Sequence, residues 1–186
     1  PNYQFILENG ITGSLAKIKK YKAVYAEDAQ KLSFLKGVET VCNGLLAYSD
    51  ICADAHEKAA AGCSDPLRRA ELQKLSDICR KVPRKPAESF YEALQSLIFC
   101  FQFLPDSVGT IDRTLLPYYE RDIASGVITR EAAMSLMGEI FVHLSNHDPV
   151  GTVNADRTAQ CHFAIGGYLE NGEDGFNPLS KLIVEA

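Results

Sequence analysis

The chain has 186 residues, 46% of them hydrophobic and 23% charged, with a formal net charge of -5. That is the composition of a globular domain with a sizeable core, and it excludes low-complexity and fibrous classes. Acidic and basic residues are interspersed, which argues against nucleic acid as a partner, and no apolar run approaches the roughly 20 residues that span a bilayer.

The first predicted element runs from Tyr3 to Ala26, with Leu15, Ile18, Tyr21 and Tyr25 at helical spacing and a break expected at Gly10 and Gly13. Lys17, Lys19, Lys20 and Lys22 make the most basic patch, read as a solvated helix face because no phosphate-cradling loop accompanies it. A longer helix is expected from about Asp28 to Ala61, striped by Leu32, Leu35, Val38, Val41, Cys42, Leu45, Leu46, Ser49 and Cys52. Gly37 and Gly44 interrupt it, and close packing against another helix would explain them. Gly62 is expected to stop this helix. Asp65 and Pro66 should then cap and open another, carrying Leu67, Leu72, Leu75, Ile78 and Cys79, before Pro83 and Pro86 end it.

From Phe90 the apolar residues Phe90, Ala93, Leu94, Leu97, Ile98 and Phe101 trace one helical face, and Tyr91, Phe99, Cys100 and Phe103 fill much of the other. A helix apolar nearly all round belongs in an interior, with Glu88, Glu92, Gln95, Ser96 and Gln102 left to reach the surface. Pro105 should end it. Ser107-Val108-Gly109 reads as a tight turn or short extended piece, and a further helix starts near Asp112. Gly126 and Thr129 mark a turn and an N-cap for a helix over Arg130 to Leu144. Loop chemistry fills 145–160, a buried strand is expected over 161–166, and a last helix over 176–186.

The candidate chemistry is sparse. His143 and His147 stand at i, i+4, but no glutamate lies between them and Asp148-Pro149 closes the helix there, so a metal site is not expected. Cys161 and His162 are neighbours in a strand and should point to opposite faces, which leaves the thiol without a base. Asp112, Arg113, Glu120, Arg121 and Asp122 read as ion pairs along a solvated helix face. Six cysteines with no Cys-x-x-Cys pair read as reduced thiols of a cytoplasmic protein.

Several linked motifs carry a resemblance. SFYEALQ, then Ser-x-Gly-x-x-Asp at Ser107, Gly109 and Asp112, then LLPYYERDI with Gly126 resemble the pyruvate formate-lyase-like domain of the glycyl radical enzymes. Ala70 to Pro86 and Ala164 to Ala186 resemble the flanking segments of that domain. The resemblance implies a ten-stranded α/β barrel, of which this chain would be a mainly α piece with one to three short strands. It implies one partial domain over 1–186, with a helical scaffold over 1–85 and the start of the barrel over 86–186. The opening on Pro1 and the stop at Ala186 within an apolar helical run fit a segment of a longer polypeptide.

It further implies a radical lyase acting on a small metabolite by C–C, C–O or C–N cleavage, with an organic glycyl radical installed by an activating enzyme that uses S-adenosylmethionine and an iron–sulfur cluster. The expected partners are the remainder of the barrel, that activating enzyme and a second subunit. Gly-Cys-x-Glu and Arg-Val-x-Gly, which carry the thiyl cysteine and the radical glycine in the family, do not occur here, so no catalytic residue is assigned. Asp106, Ser107, His162 and Phe163 are the candidate substrate-binding residues by position. Phe103-Leu104-Pro105 stands where diol dehydratases of the family carry Gly-His-Ser, Thr110 where arginine is usual, and Asn177-Pro178-Leu179-Ser180 in place of Asn-Glu-Leu-Ser. The alternative is a non-catalytic helical scaffold or interaction domain descended from the same fold.

Overall fold

The computed structural model describes residues 2–103, 107–145 and 162–186, which form two compact units, Asn2–Ala87 and Glu88–Ala186.

The first unit is three helices, α1 (Tyr3–Val24), α2 (Ala29–Gly62) and α3 (Pro66–Lys81). The expected break in α1 falls at Gly10, whose φ of 65° and ψ of 176° lie outside helical space. That kink releases the amides of Ile11 and Thr12 from the helix, and they donate to the carbonyls of Pro83 and Arg84 at 2.8 and 3.1 Å. The Leu7 carbonyl accepts from Ala87 N at 2.9 Å, so the segment beyond α3 is laced onto the kink. Asp65 caps α3 as expected, accepting from Leu67 N, and Asp28 caps α2, accepting from Lys31 N. Between α2 and α3, Ser76 Oγ donates to the Ala53 carbonyl at 2.9 Å, and the Arg80 guanidinium reaches Asp54 at 2.8 Å. Arg84 Nη2 bonds both carboxylate oxygens of Asp50. In the basic patch, Lys22 pairs with Glu39 and Lys17 sits over the Phe5 ring, so these two cations serve packing.

Two expectations for α2 change. The buried stripe is Cys42, Leu45, Leu46, Ser49 and Ala53, whereas Val41 is half exposed. A Cβ at Gly37 would meet nothing within 4 Å, so no helix of this unit packs there. Likewise Leu67 in the first turn of α3 is exposed.

The second unit is built on α4 (Phe90–Phe103), followed by β1 (Ser107–Thr110), α5 (Ile111–Ala124), α6 (Arg130–Ser145), β2 (His162–Ala164) and α7 (Pro178–Glu185). Phe90, Ala93, Leu94, Leu97, Phe99, Cys100 and Phe101 are all buried, as a helix apolar on most sides requires. Ser96, expected at the surface, is buried with them. The Phe90 and Tyr119 rings meet edge to face, with centroids 5.7 Å apart. Ile111 and Leu115 of α5, Met137 of α6, and Leu179 and Leu182 of α7 complete the core. Thr129 caps α6 through its hydroxyl, and Glu131 in the first turn has its carboxyl held below the usual range by its own backbone N–H and by the Thr129 hydroxyl. Pro105 and the loop 145–160 lie outside the described residues, apart from the backbone of Ser145.

Candidate functional site

β1 and β2 pair in parallel, with Ser107 opposite His162, Gly109 opposite Phe163 and Thr110 opposite Ala164. Two steps on β1 match one on β2, so Val108 is the extra residue of a bulge. It is buried, and Gly109 follows it with a φ of 67°. The Ser107 hydroxyl accepts from the Gly109 amide at 3.1 Å and so fixes this bend locally. Of the four candidate substrate-binding residues, Ser107, His162 and Phe163 meet on this strand pair. Asp106 lies outside the described residues, as does the His162 side chain. The Phe163 ring stacks on Phe141 of α6, with centroids 5.3 Å apart, and stays partly exposed. Nearby on α4 and α6, Gln102 Nε2 and His143 Nε2 lie 2.7 Å apart.

Beneath this pair sits a feature that the sequence reading misassigns. Asp112, the second residue of α5, is 0% exposed rather than on a solvated face. Its Oδ2 accepts from Gly166 N at 2.7 Å and Ser180 Oγ at 2.5 Å, with Asn177 Nδ2 at 3.4 Å, while Oδ1 accepts from Arg113 N at 2.8 Å. One side chain thus ties the start of α5 to the end of β2 and the start of α7. Arg113 adds to the same junction, donating to the carbonyls of Gly166 at 2.8 Å and Tyr168 at 3.3 Å. Gly166 and Gly167 both have positive φ, and Gly175 N donates to Gly167 O at 2.6 Å. A Cβ on Gly175 would lie 2.8 Å from that oxygen. Asn177 and Ser180 close a reciprocal capping box on α7, so the serine hydroxyl serves both the cap and Asp112.

Asp122 repeats the pattern. It is buried, its Oδ2 accepts from Phe90 N at 2.7 Å, and its carbonyl takes the amide of Val127 at 2.9 Å. Here the ion-pair reading survives only as a 3.6 Å approach of Arg121 Nε to Oδ1. Sequence signals existed for Asp112: it lies between the apolar Ile111 and Leu115, and Asn-x-x-Ser at 177–180 spells the box that Asp112 supports.

Among the described residues no group of three or more His, Cys, Asp or Glu side chains is arranged to hold a metal ion. His147 and Cys161 fall outside those residues. The nearest approach to Gly-Cys-x-Glu is Gly62-Cys63-Ser64-Asp65, where Cys63 is the C-cap of α2 and Asp65 the N-cap of α3, both structural duties. Five cysteines, at 42, 52, 63, 79 and 100, are thiols not joined in disulfides. Burial pushes the Cys79 thiol up to about 11, with a further push from Cys52, and burial also raises Cys42. Cys79 and Cys42 are therefore expected to resist iodoacetamide at pH 8 in the folded chain and to react on denaturation, while the less buried Cys63 reacts first; peptide mass spectrometry reads the order. Since the folded state holds the Cys79 proton above its ordinary value of 9.0, its contribution to stability is intact below pH 9 and is lost as pH rises through about 11.

The pyruvate formate lyase-like family model matches residues 1–186. Isethionate sulfite-lyase of Oleidesulfovibrio alaskensis is 30% identical over 206 residues, covering 100% of this chain and 25% of its own. Indoleacetate decarboxylase of Tractidigestivibacter scatoligenes is 29% identical over 202 residues, covering 100% of this chain and 23% of its own. Among solved structures, a protein of 1,2-propanediol dehydration in Roseburia inulinivorans superposes with a TM-score of 0.88 at 30% identity, covering 98% of this chain and 25% of that one. A glycyl radical enzyme from Archaeoglobus fulgidus gives 0.83 at 27% identity, covering 99% and 26%. The chain thus spans about a quarter of the length of the proteins it matches.

Proposed function

Because the chain belongs to the pyruvate formate-lyase-like family, we propose that it is the helical scaffold and part of the barrel wall of a glycyl radical lyase or dehydratase acting on a small metabolite. The observation that carries this reading is the extent of the likeness, which runs through both units and includes solved glycyl radical enzymes. The β1–β2 pair supports it too, because two short parallel strands that, among the described residues, pair only with each other suit a piece of a larger sheet better than a finished one.

In this reading the chain supplies walls and not the reacting groups. Asp112 and Arg113 hold the backbone of 166–168 rigid, so that β1 and β2 keep their register beside the substrate cavity. Asp106, Ser107, His162 and Phe163 border that cavity and bind the metabolite. Ser107 is already committed to Gly109, so its role is to shape the strand and present one further hydroxyl donor. The stacked Phe141 and Phe163 rings keep water away from that edge, which radical chemistry requires. Phe103-Leu104-Pro105, departing from the diol-dehydratase pattern, favours a substrate other than glycerol, cleaved at a C–C, C–O or C–N bond or releasing sulfite as the name of the Oleidesulfovibrio relative suggests. The radical itself is an organic glycyl radical on the polypeptide, installed by an S-adenosylmethionine and iron–sulfur activating enzyme in the cytoplasm. Two subunits form the working molecule.

The test starts from the coding sequence downstream of the Ala186 codon. We expect a Gly-Cys-x-Glu segment followed by Arg-Val-x-Gly, and an electron paramagnetic resonance doublet after anaerobic activation of the whole polypeptide. A reading frame that encodes neither motif overturns the enzyme reading and leaves a non-catalytic scaffold.

A further inference from the structure

Two cysteines of the first unit come together where α2 and α3 pack most closely. Ala53 and Ser76 are both fully buried, and the Ser76 hydroxyl, only two bonds from its Cα, reaches the Ala53 backbone carbonyl at 2.9 Å, so the two backbones nearly touch there. Further along the antiparallel pair, Arg84 reaches Asp50. Cys52 lies between Asp50 and Ala53, and Cys79 between Ser76 and Arg84, so these two contacts bracket both sulfurs within one short stretch of the interface. Tyr48, one turn before Cys52, hydrogen-bonds the Cys52 thiol, and Tyr48, Cys52 and Cys79 lie within electrostatic reach of one another. Cys42 and Cys63 stand ten and eleven residues from Cys52, about 15 Å away along α2 in opposite directions, and so do not share that stretch. The pair is asymmetric: Cys52 keeps partial exposure, whereas Cys79 is 1% exposed. A small oxidant therefore meets Cys52 first.

We propose that Cys52 and Cys79 are a peroxide-responsive thiol pair that joins α2 to α3 through a reversible disulfide. Hydrogen peroxide is the oxidant. The Cys52 thiolate attacks one peroxide oxygen, the O–O bond breaks, and Cys52 becomes a sulfenic acid with release of hydroxide. The Cys79 sulfur then attacks the Cys52 sulfur. The S–S bond forms, the S–O bond breaks, and the departing hydroxide leaves as water with the Cys79 proton. Two electrons pass from the sulfurs to the peroxide, and a dithiol reductant returns them. Burial, which raises the Cys79 thiol to about 11, keeps that sulfur protonated and idle until the electrophile is beside it. The Tyr48 phenol, raised by burial and then by Cys52, stays protonated next to the same sulfur and serves as a donor to the departing oxygen. The bond closes a loop of 27 positions, since 79 minus 52 is 27, and a cross-link that restricts the unfolded chain stabilises the folded one. All of this rests on the first unit alone, so loss of the radical reading does not touch it.

The test treats the folded 186-residue chain with a small excess of hydrogen peroxide, blocks the remaining thiols with N-ethylmaleimide, and maps chymotryptic peptides without reductant. Cleavage after Tyr48 parts Cys42 from Cys52. The Cys52 and Cys79 peptides are expected as a linked pair, lighter by two hydrogens than the free peptides together, and the link is expected to vanish on dithiothreitol. The urea midpoint rises on oxidation and falls back on reduction. Cys79→Ala removes the resolving sulfur, so dimedone labelling of the Cys52 sulfenic acid is expected to rise about tenfold over wild type, with circular dichroism as the folding control and Cys79→Ser as a second variant. A wild-type Cys52 that stays unmodified, stops at the sulfinic acid, or links to another cysteine or another chain overturns the proposal. Equal dimedone labelling in wild type and variant overturns it as well.

Discussion

Replacing Asp112 by alanine is expected to destabilise the Glu88–Ala186 unit by about 3–5 kcal/mol, the largest effect of any single polar substitution in it. The reason is the number of donors left behind. Gly166 N and Ser180 Oγ both point into a site with no exposed surface, and each loses its acceptor in a place water does not reach. A buried donor without a partner costs roughly 1–3 kcal/mol, and the loss of a well-packed side chain adds to it. Asp112→Asn keeps one oxygen and is expected to lose about half as much. Hydrogen exchange at the amide of Gly166 and along β2, with urea denaturation for the magnitude, is the direct measurement. A loss below about 1 kcal/mol would show that the junction closes without its central acceptor.

Gly10→Ala is expected to cost the Asn2–Ala87 unit about 3–5 kcal/mol. The backbone at Gly10 lies where side chains are essentially excluded, at a φ of 65° and a ψ of 176°. An alanine Cβ would sit 2.3 Å from the Arg84 carbonyl oxygen and 2.7 Å from Lys85 C, both backbone atoms. Relief by straightening α1 would break the bonds from Ile11 and Thr12 to Pro83 and Arg84. Gly138→Ala in α6 is the control, since its Cβ would meet nothing within 4 Å and a helix gains about 0.5–1 kcal/mol from that change. Urea unfolding of the two variants should therefore move in opposite directions. Equal shifts would refute the argument from close approach.

What was legible in the sequence was local. The kink at Gly10, the caps at Asp65 and Thr129, and the apolar circumference of α4 each depend on residues within one or two turns, and periodicity and capping chemistry report them. The resemblance to the radical enzymes supplied the fold class, a mainly helical chain with one to three short strands; the parallel pairing of β1 with β2 came only with the structure. What escaped was long-range. Asp112 looks like any charged residue on an amphipathic helix until Gly166 and Ser180, 54 and 68 positions away, come to it. Asp122 misleads in the same way, because its partner Phe90 lies 32 positions back. Ser96 is buried because α4 is surrounded, a fact of assembly and not of its own spacing. Gly37 misleads in the opposite sense: glycine in a helix suggests a close neighbour, and within this unit there is none.

The parallel pairing of β1 with β2 also sets an order of events during synthesis. Ser107 meets His162 across 55 positions, since 162 minus 107 is 55, whereas α2 and α3 are joined by a turn of only three residues, Cys63 to Asp65. Closing the longer loop is slower and entropically dearer, so the helices of the first unit assemble while the strand pair is still waiting for its second half. Throughout that interval Asp112 has no Gly166 or Ser180 to receive and stays hydrated, holding the apolar start of α5 open to solvent. Emergence of the Gly166–Gly167 pair and the Asn177 cap from the ribosome is then the event that releases that water and seals the junction.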